Sequence, residues 1–133
     1  MTRAKGMEEG AFVAEVDVTP DSLFFEDGAV PAWIGIEYMA QTVALYAGFE
    51  ASLAGREPRP GLLLGARTYT SARAHFFPGE TLRIVAHKVL EQDNGISAMN
   101  CIILGPQGIE LARAELTVLR LPDMDALDAL ERA

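Results

Sequence analysis

Glu37 and Gln41 are the residues whose type and spacing point first to chemistry. They sit in "PAWIGIEYMAQ", Pro31 to Gln41, one acid and one amide in a run that is otherwise almost entirely apolar. Four positions apart on a helix, they share a face. A carboxyl group placed there can exchange a proton with a reacting group, and an amide one turn later can hold it in position. Trp33, Ala44 and Gly48 fall on the same narrow face, an aromatic on one side and very small residues beyond, which leaves room for a ligand. Backbone amides at the helix start, near Ala32 and Trp33, can polarise a carbonyl and stabilise charge building on its oxygen without a metal. The structural alternative is that Glu37 pairs with an arginine or with backbone amides, and Gln41 with a neighbouring strand.

Other reactive groups are few. His75, in "ARAHFFPG", is expected to end a strand beside a turn, within reach of a partner's cleft; the competing reading is a surface or interface histidine. His87 lies mid-strand on the alternate face with Val85 and Val89 and reads as a packed or edge histidine. Glu26 and Asp27 precede the helix and read as solvated loop acids. Cys101, the single cysteine, lies in the apolar run "MNCIILG" and reads as a buried, inert thiol. No Cys/His cluster has metal-ligand spacing, so neither a metal nor a cofactor is expected.

The elements that must position these groups follow from punctuation and period. "AFVAEVDV" (11–18) alternates like a half-buried strand; Pro31 opens one long helix that runs to about Ala54, and "AGREPRPG" ends it. Four strands are expected at about 62–73, 81–91, 96–104 and 109–121, separated by "FPGE", "QDNG" and "GPQG" and forming a meander. Residues 1–10 and 122–133 read as peripheral tails, the latter weakly helical. The helix is apolar nearly all round: Ile36, Ala40, Val43 and Ala47 form one stripe, and Ile34, Tyr38, Leu45 and Phe49 another. Such a helix must be covered on most sides, and in one 133-residue domain only a curved sheet can do it. This is an α+β architecture, a hotdog fold, expected to dimerise by its strand edges.

A net charge of −8 argues against nucleic acid and anionic membranes as main partners. No segment is long enough to span a bilayer, and the N-terminus lacks an apolar secretory core, so a cytoplasmic protein is expected.

"PAWIGIEYMAQ", with "PDSLFFEDGAVPAWIGIEYMAQ" around it, the following "GLLLGARTY" and the closing "ELTVL", resembles the hotdog 3-hydroxyacyl-ACP dehydratases. The likeness covers about residues 11–121 and is nearest their divergent branch, the predicted dehydratases of aryl-polyene-type pathways. That resemblance implies elimination of water from a 3-hydroxyacyl thioester on acyl carrier protein, in fatty-acid-like or polyene biosynthesis. Glu37 would protonate the departing hydroxyl, Gln41 would hold it, and Ala32 stands where the family has glycine. The family's histidine, in an "HFPG" segment before the helix, has no counterpart between Phe25 and Pro31. Nor is there an "LPHR"-like segment ahead of the first strand. Three functions stay open: a dehydratase, a hotdog thioesterase, and a non-catalytic subunit pairing with an active paralogue. The oligomer is expected to be a homodimer or a heterodimer with another hotdog subunit.

Overall fold

The computed structural model describes residues 2–57, 59, 61–122 and 124–132. The chain forms strands β1 (Thr2–Glu8), β2 (Ala11–Asp17) and β3 (Val30–Pro31), then a 3-10 turn (Ala32–Ile34) leading into helix α1 (Gly35–Leu53). Strands β4 (Gly61–Ser71), β5 (His75–Phe76), β6 (Thr81–Glu91), β7 (Ile96–Leu104) and β8 (Glu110–Arg120) follow, and helix α2 (Met124–Glu131) closes the chain. Six strands make one antiparallel sheet in the order β1-β2-β6-β7-β8-β4, and β3 and β5 form a two-stranded ribbon.

Two expectations are corrected. Residues 2–8 are not a tail: they pair with β2 as an edge strand. The expected four-strand meander is reduced to β6-β7-β8, because β2 and β7 occupy both sides of β6; β4, delivered by the helix crossover, pairs with the open side of β8. The C-terminal stretch carries α2 as its weak helical pattern predicts, while positions 123 and 133 lie outside the described residues.

The core lies between α1 and the inner face of the sheet. Tyr38, Met39, Thr42, Val43 and Tyr46 recur at helical spacing and are buried against Phe12, Leu82, Ile84, Met99, Ile103 and Leu116. Phe12 stacks on Tyr46 with ring centroids 5.2 Å apart, and each large side chain removed from water contributes about 1.5–3 kcal/mol. The opposite flank is different. Glu37 and Ala44 are exposed, and Ile36, Ala40, Ala47 and Gly48 only partly covered, so within one chain the sheet covers one face of the helix rather than most of it.

The helix start is fixed by an irregularity in β4. The register against β8 slips between Arg67 and Thr70, and Thr68 there has φ of 52°, a left-handed conformation that costs a β-branched residue about 1–3 kcal/mol. The slip carries the Tyr69 hydroxyl to the carbonyl of Ala32, to which it donates a hydrogen bond. Gly35 makes that approach possible: a methyl group there would collide with the Tyr69 hydroxyl and come within 3.0 Å of Ile103 Cδ1. Gly35→Ala is therefore expected to lower stability by about 1–3 kcal/mol in a denaturant titration. Tyr69→Phe should lower it by only about 1 kcal/mol, the worth of the lost hydrogen bond.

Candidate functional site

Glu37 lies in the first turn of α1, Gln41 one turn further, and the two are joined: Gln41 Nε2 donates to Glu37 Oε1 at 3.3 Å. Gln41 Oε1 in turn accepts a hydrogen bond from the hydroxyl of Thr2 on β1. Among the described residues no arginine or lysine is paired with Glu37, so the structural alternative of an arginine-locked acid is not what the fold builds. The acid is nevertheless exposed in the single chain, not enclosed in an apolar surround as its sequence context led one to expect.

Beyond the pair, the small residues of the helix open a groove. Ala40, Val43, Ala44, Ala47 and Gly48 form one wall of an apolar cavity of about 370 Å³. Leu62 and Leu63 of β4, with Met99 and Val118, form the other. At 1.5 Å per residue, the helix carries this wall about 12 Å from the level of Ala40, one turn beyond Glu37, to that of Gly48. Arg59 and Arg120 stand at the distal end. There Glu50, in the last turns of α1 where negative charge is unfavourable, is held by Lys88 Nζ at 2.8 and 2.9 Å and by Arg120 at 3.5 Å.

The remaining sequence candidates fall out differently. Ala44 and Gly48 line the groove, as their size predicts. Ala32 and Trp33 do not. The Ala32 amide donates to the Ala74 carbonyl at 2.8 Å and is not free for a ligand, because β3 and β5 pair directly ahead of the helix. Trp33 is 59 % exposed and packs on Phe24, ring centroids 5.3 Å apart, as a flank to the acid rather than a lid over the groove. His75 pairs with Pro31 in the ribbon, which puts it beside the helix start; its exposed ring touches Phe77 and makes no hydrogen bond to Glu37. His87 faces outward from the sheet, away from α1, in a shallow depression with Asn100, Arg113 and Glu115. Thr2 was missed by sequence reasoning. Its only signal, a hydroxyl residue near the chain start, says nothing until β1 is known to pack against α1.

Cys101 is buried in the core, and that burial pushes its thiol up to about 12. It stays protonated at neutral pH, so it is no nucleophile. A thiol reagent at about pH 8 should label the protein only after unfolding. Because the folded state favours the neutral thiol, that contribution to stability is intact below the ordinary thiol range and is lost as pH climbs through it toward about 12.

A helix wrapped by an antiparallel sheet of this order, with a carboxyl group early in the helix and an apolar groove along it, defines the hotdog class. The solved structures agree. The dehydratase heterocomplex ApeI:P from Xenorhabdus doucetiae superposes with a TM-score of 0.83 at 22% identity, over 96% of this chain and 86% of that one. A hypothetical thioesterase with coenzyme A from Streptococcus pneumoniae TIGR4 gives 0.69 at 18% identity, over 90% and 88%. The PaaI protein of the E. coli phenylacetic acid degradation operon gives 0.70 at 16%, over 92% and 80%. At these identities the likeness establishes the fold. The ApeP-like family model, described as ApeP dehydratase, matches residues 2–129, and the chain belongs to that family. No curated protein matches it. No helix among the described residues is long and apolar enough to cross a membrane.

Proposed function

We propose that the protein is a subunit of a dehydratase that removes water from a 3-hydroxyacyl thioester carried on acyl carrier protein, in the cytoplasm, with Glu37 as the acid. The observation that carries this reading is the Gln41-bonded carboxyl of Glu37 one helical turn before Ala40, the residue at which the apolar groove walled by Ala40, Ala44 and Gly48 begins along α1. In the reaction a base takes the proton α to the carbonyl, the α–β double bond forms, and the β-hydroxyl leaves as water with the proton of Glu37. The groove takes the acyl chain. Trp33, on the same face as Glu37, flanks the reacting end, and the Trp33 amide, next in line after the committed Ala32 amide, is the donor offered to the thioester oxygen.

The base is supplied across a subunit boundary. No histidine bonds to Glu37 within the described residues, and the relative ApeI:P is itself a heterocomplex. Strand β4 is the edge suited to pairing: it is eleven residues long and exposes Leu63 and Leu64. The other edge, β1, is shorter, seven residues, and carries the charges of Arg3, Lys5 and Glu8. Pairing there, in a homodimer or with another hotdog subunit, would cover the bare flank of α1 and enclose Glu37. His75, exposed beside the helix start, is this chain's own candidate for the partner's cleft. Arg56 and Arg59 are exposed and free of ion pairs among the described residues. They supply the local basic edge by which a protein of charge −8 can meet an acidic carrier.

Incubation with a 3-hydroxyacyl carrier protein, alone and with a hotdog partner subunit, should yield the enoyl product by mass spectrometry. Glu37→Gln should lower the rate at least about 100-fold, the scale of a lost general acid. An undiminished rate in that variant would leave the acid elsewhere. Ala44→Phe should fill the groove and suppress turnover of long acyl chains while sparing short ones. That no histidine bonds to Glu37 among the described residues favours a second reading, a non-catalytic subunit that shapes the partner's acyl site. In that case activity of the complex is indifferent to Glu37→Ala.

A further inference from the structure

Gln41 is a long side chain on a half-exposed stretch of helix, and by itself it would have to give up rotamer freedom to hold one orientation. Something fixes it. The Thr2 hydroxyl reaches it from β1, 39 residues earlier in the chain. This reach depends on a detail of β1. At its far end Met7 pairs with Phe12, whose side chain is in the core, so strict alternation would send Arg3 inward and Thr2 outward. A bulge between Ala4 and Gly6, with Gly6 at φ of 105°, inserts one residue and reverses the parity. Thr2 then pairs with the buried Val16 and faces α1, while Arg3 turns outward to Asp17 at 2.8 Å.

We propose that Thr2 is a positioning residue for Glu37, acting through Gln41. The proposal rests on the reading of Glu37 as the acid. With Glu37 ionised, the Gln41 amide donates to the carboxylate and its carbonyl accepts the Thr2 hydroxyl, which is the arrangement in the structure. With Glu37 protonated, its O–H turns to the departing hydroxyl while its carbonyl oxygen goes on accepting from the same Gln41 NH₂, so the amide keeps one orientation. The Thr2 hydroxyl, as donor to the Gln41 carbonyl, fixes that orientation, and no apolar residue can. The acid is thus held in one place on both sides of the proton transfer, before the leaving hydroxyl takes the proton and after.

The test is steady-state dehydration of the N-acetylcysteamine thioester of a 3-hydroxy acid by the full chain, with its partner subunit where activity requires one. Wild type, Glu37→Gln, Thr2→Val and Thr2→Ser are compared. Valine matches threonine in shape and suits a strand, and thermal melts confirm equal folding. Thr2→Val should lower kcat by about 10- to 100-fold, the scale of a misplaced catalytic group, with KM unchanged. Thr2→Ser should restore most of it. Unchanged kinetics in Thr2→Val, a rise in KM alone, or a serine variant as impaired as the valine one would overturn the role of Thr2 while leaving Glu37 as the acid. An inactive wild type, or an active Glu37→Gln, would instead remove the reading of Glu37, and the role of Thr2 with it.

Discussion

A helix that is apolar on both flanks cannot stand in water, and a sheet can cover only one side of it. This mismatch governs the molecule. Tyr38, Met39, Val43 and Tyr46 satisfy the sheet-facing side, and the resulting core organises every long strand around α1. What is left over, the flank of Ala40, Ala44, Ala47 and Gly48, is too small in side-chain volume to close against β4. The shortfall is the groove. A row of leucines there would fill it, so the groove and the core arise from the same helix by a difference in residue size alone.

The acid is tied to that helix at two levels. Locally, the 3-10 turn, the Ala32–Ala74 hydrogen bond and the Tyr69 hydroxyl determine where α1 begins and hence the direction in which Glu37 points. At longer range, Gln41 and Thr2 hold the carboxyl from the side. Both levels use backbone irregularity as a tool. The left-handed Thr68 aims Tyr69, and the bulge at Gly6 aims Thr2, each by breaking the simple two-residue alternation of a strand. Regular strands would have packed the same core and pointed both hydroxyls elsewhere.

Much of this was legible before any coordinates. The strong breakers around the helix, Pro31 and the "GREPRPG" run, bounded it well, and the turn residues of "QDNG" and "GPQG" bounded β6, β7 and β8, because those signals are local steric ones. The inert Cys101 and the small groove residues were also readable from type and context. Strand β1 was not. "TRAKGME" alternates weakly and carries a glycine, so nothing local distinguishes it from a tail until β2 offers a pairing edge. The order of the sheet was likewise hidden, since adjacency in sequence suggests a meander, and only the occupied edges of β6 send β4 to β8.

By itself the sequence determined the class of the architecture, the helix that carries Glu37 and Gln41, and the family motif, all of which depend on residue type and short spacing. Tertiary structure alone decided that the Ala32 amide is already spent on Ala74, that Trp33 stands beside the acid and not over the groove, and that His75 is near the helix start without bonding to Glu37. It also decided that the Thr2 hydroxyl meets Gln41. Those outcomes hinge on strand register and parity, where a shift of one residue reverses the face a side chain occupies, and no short-range pattern encodes which way the shift falls.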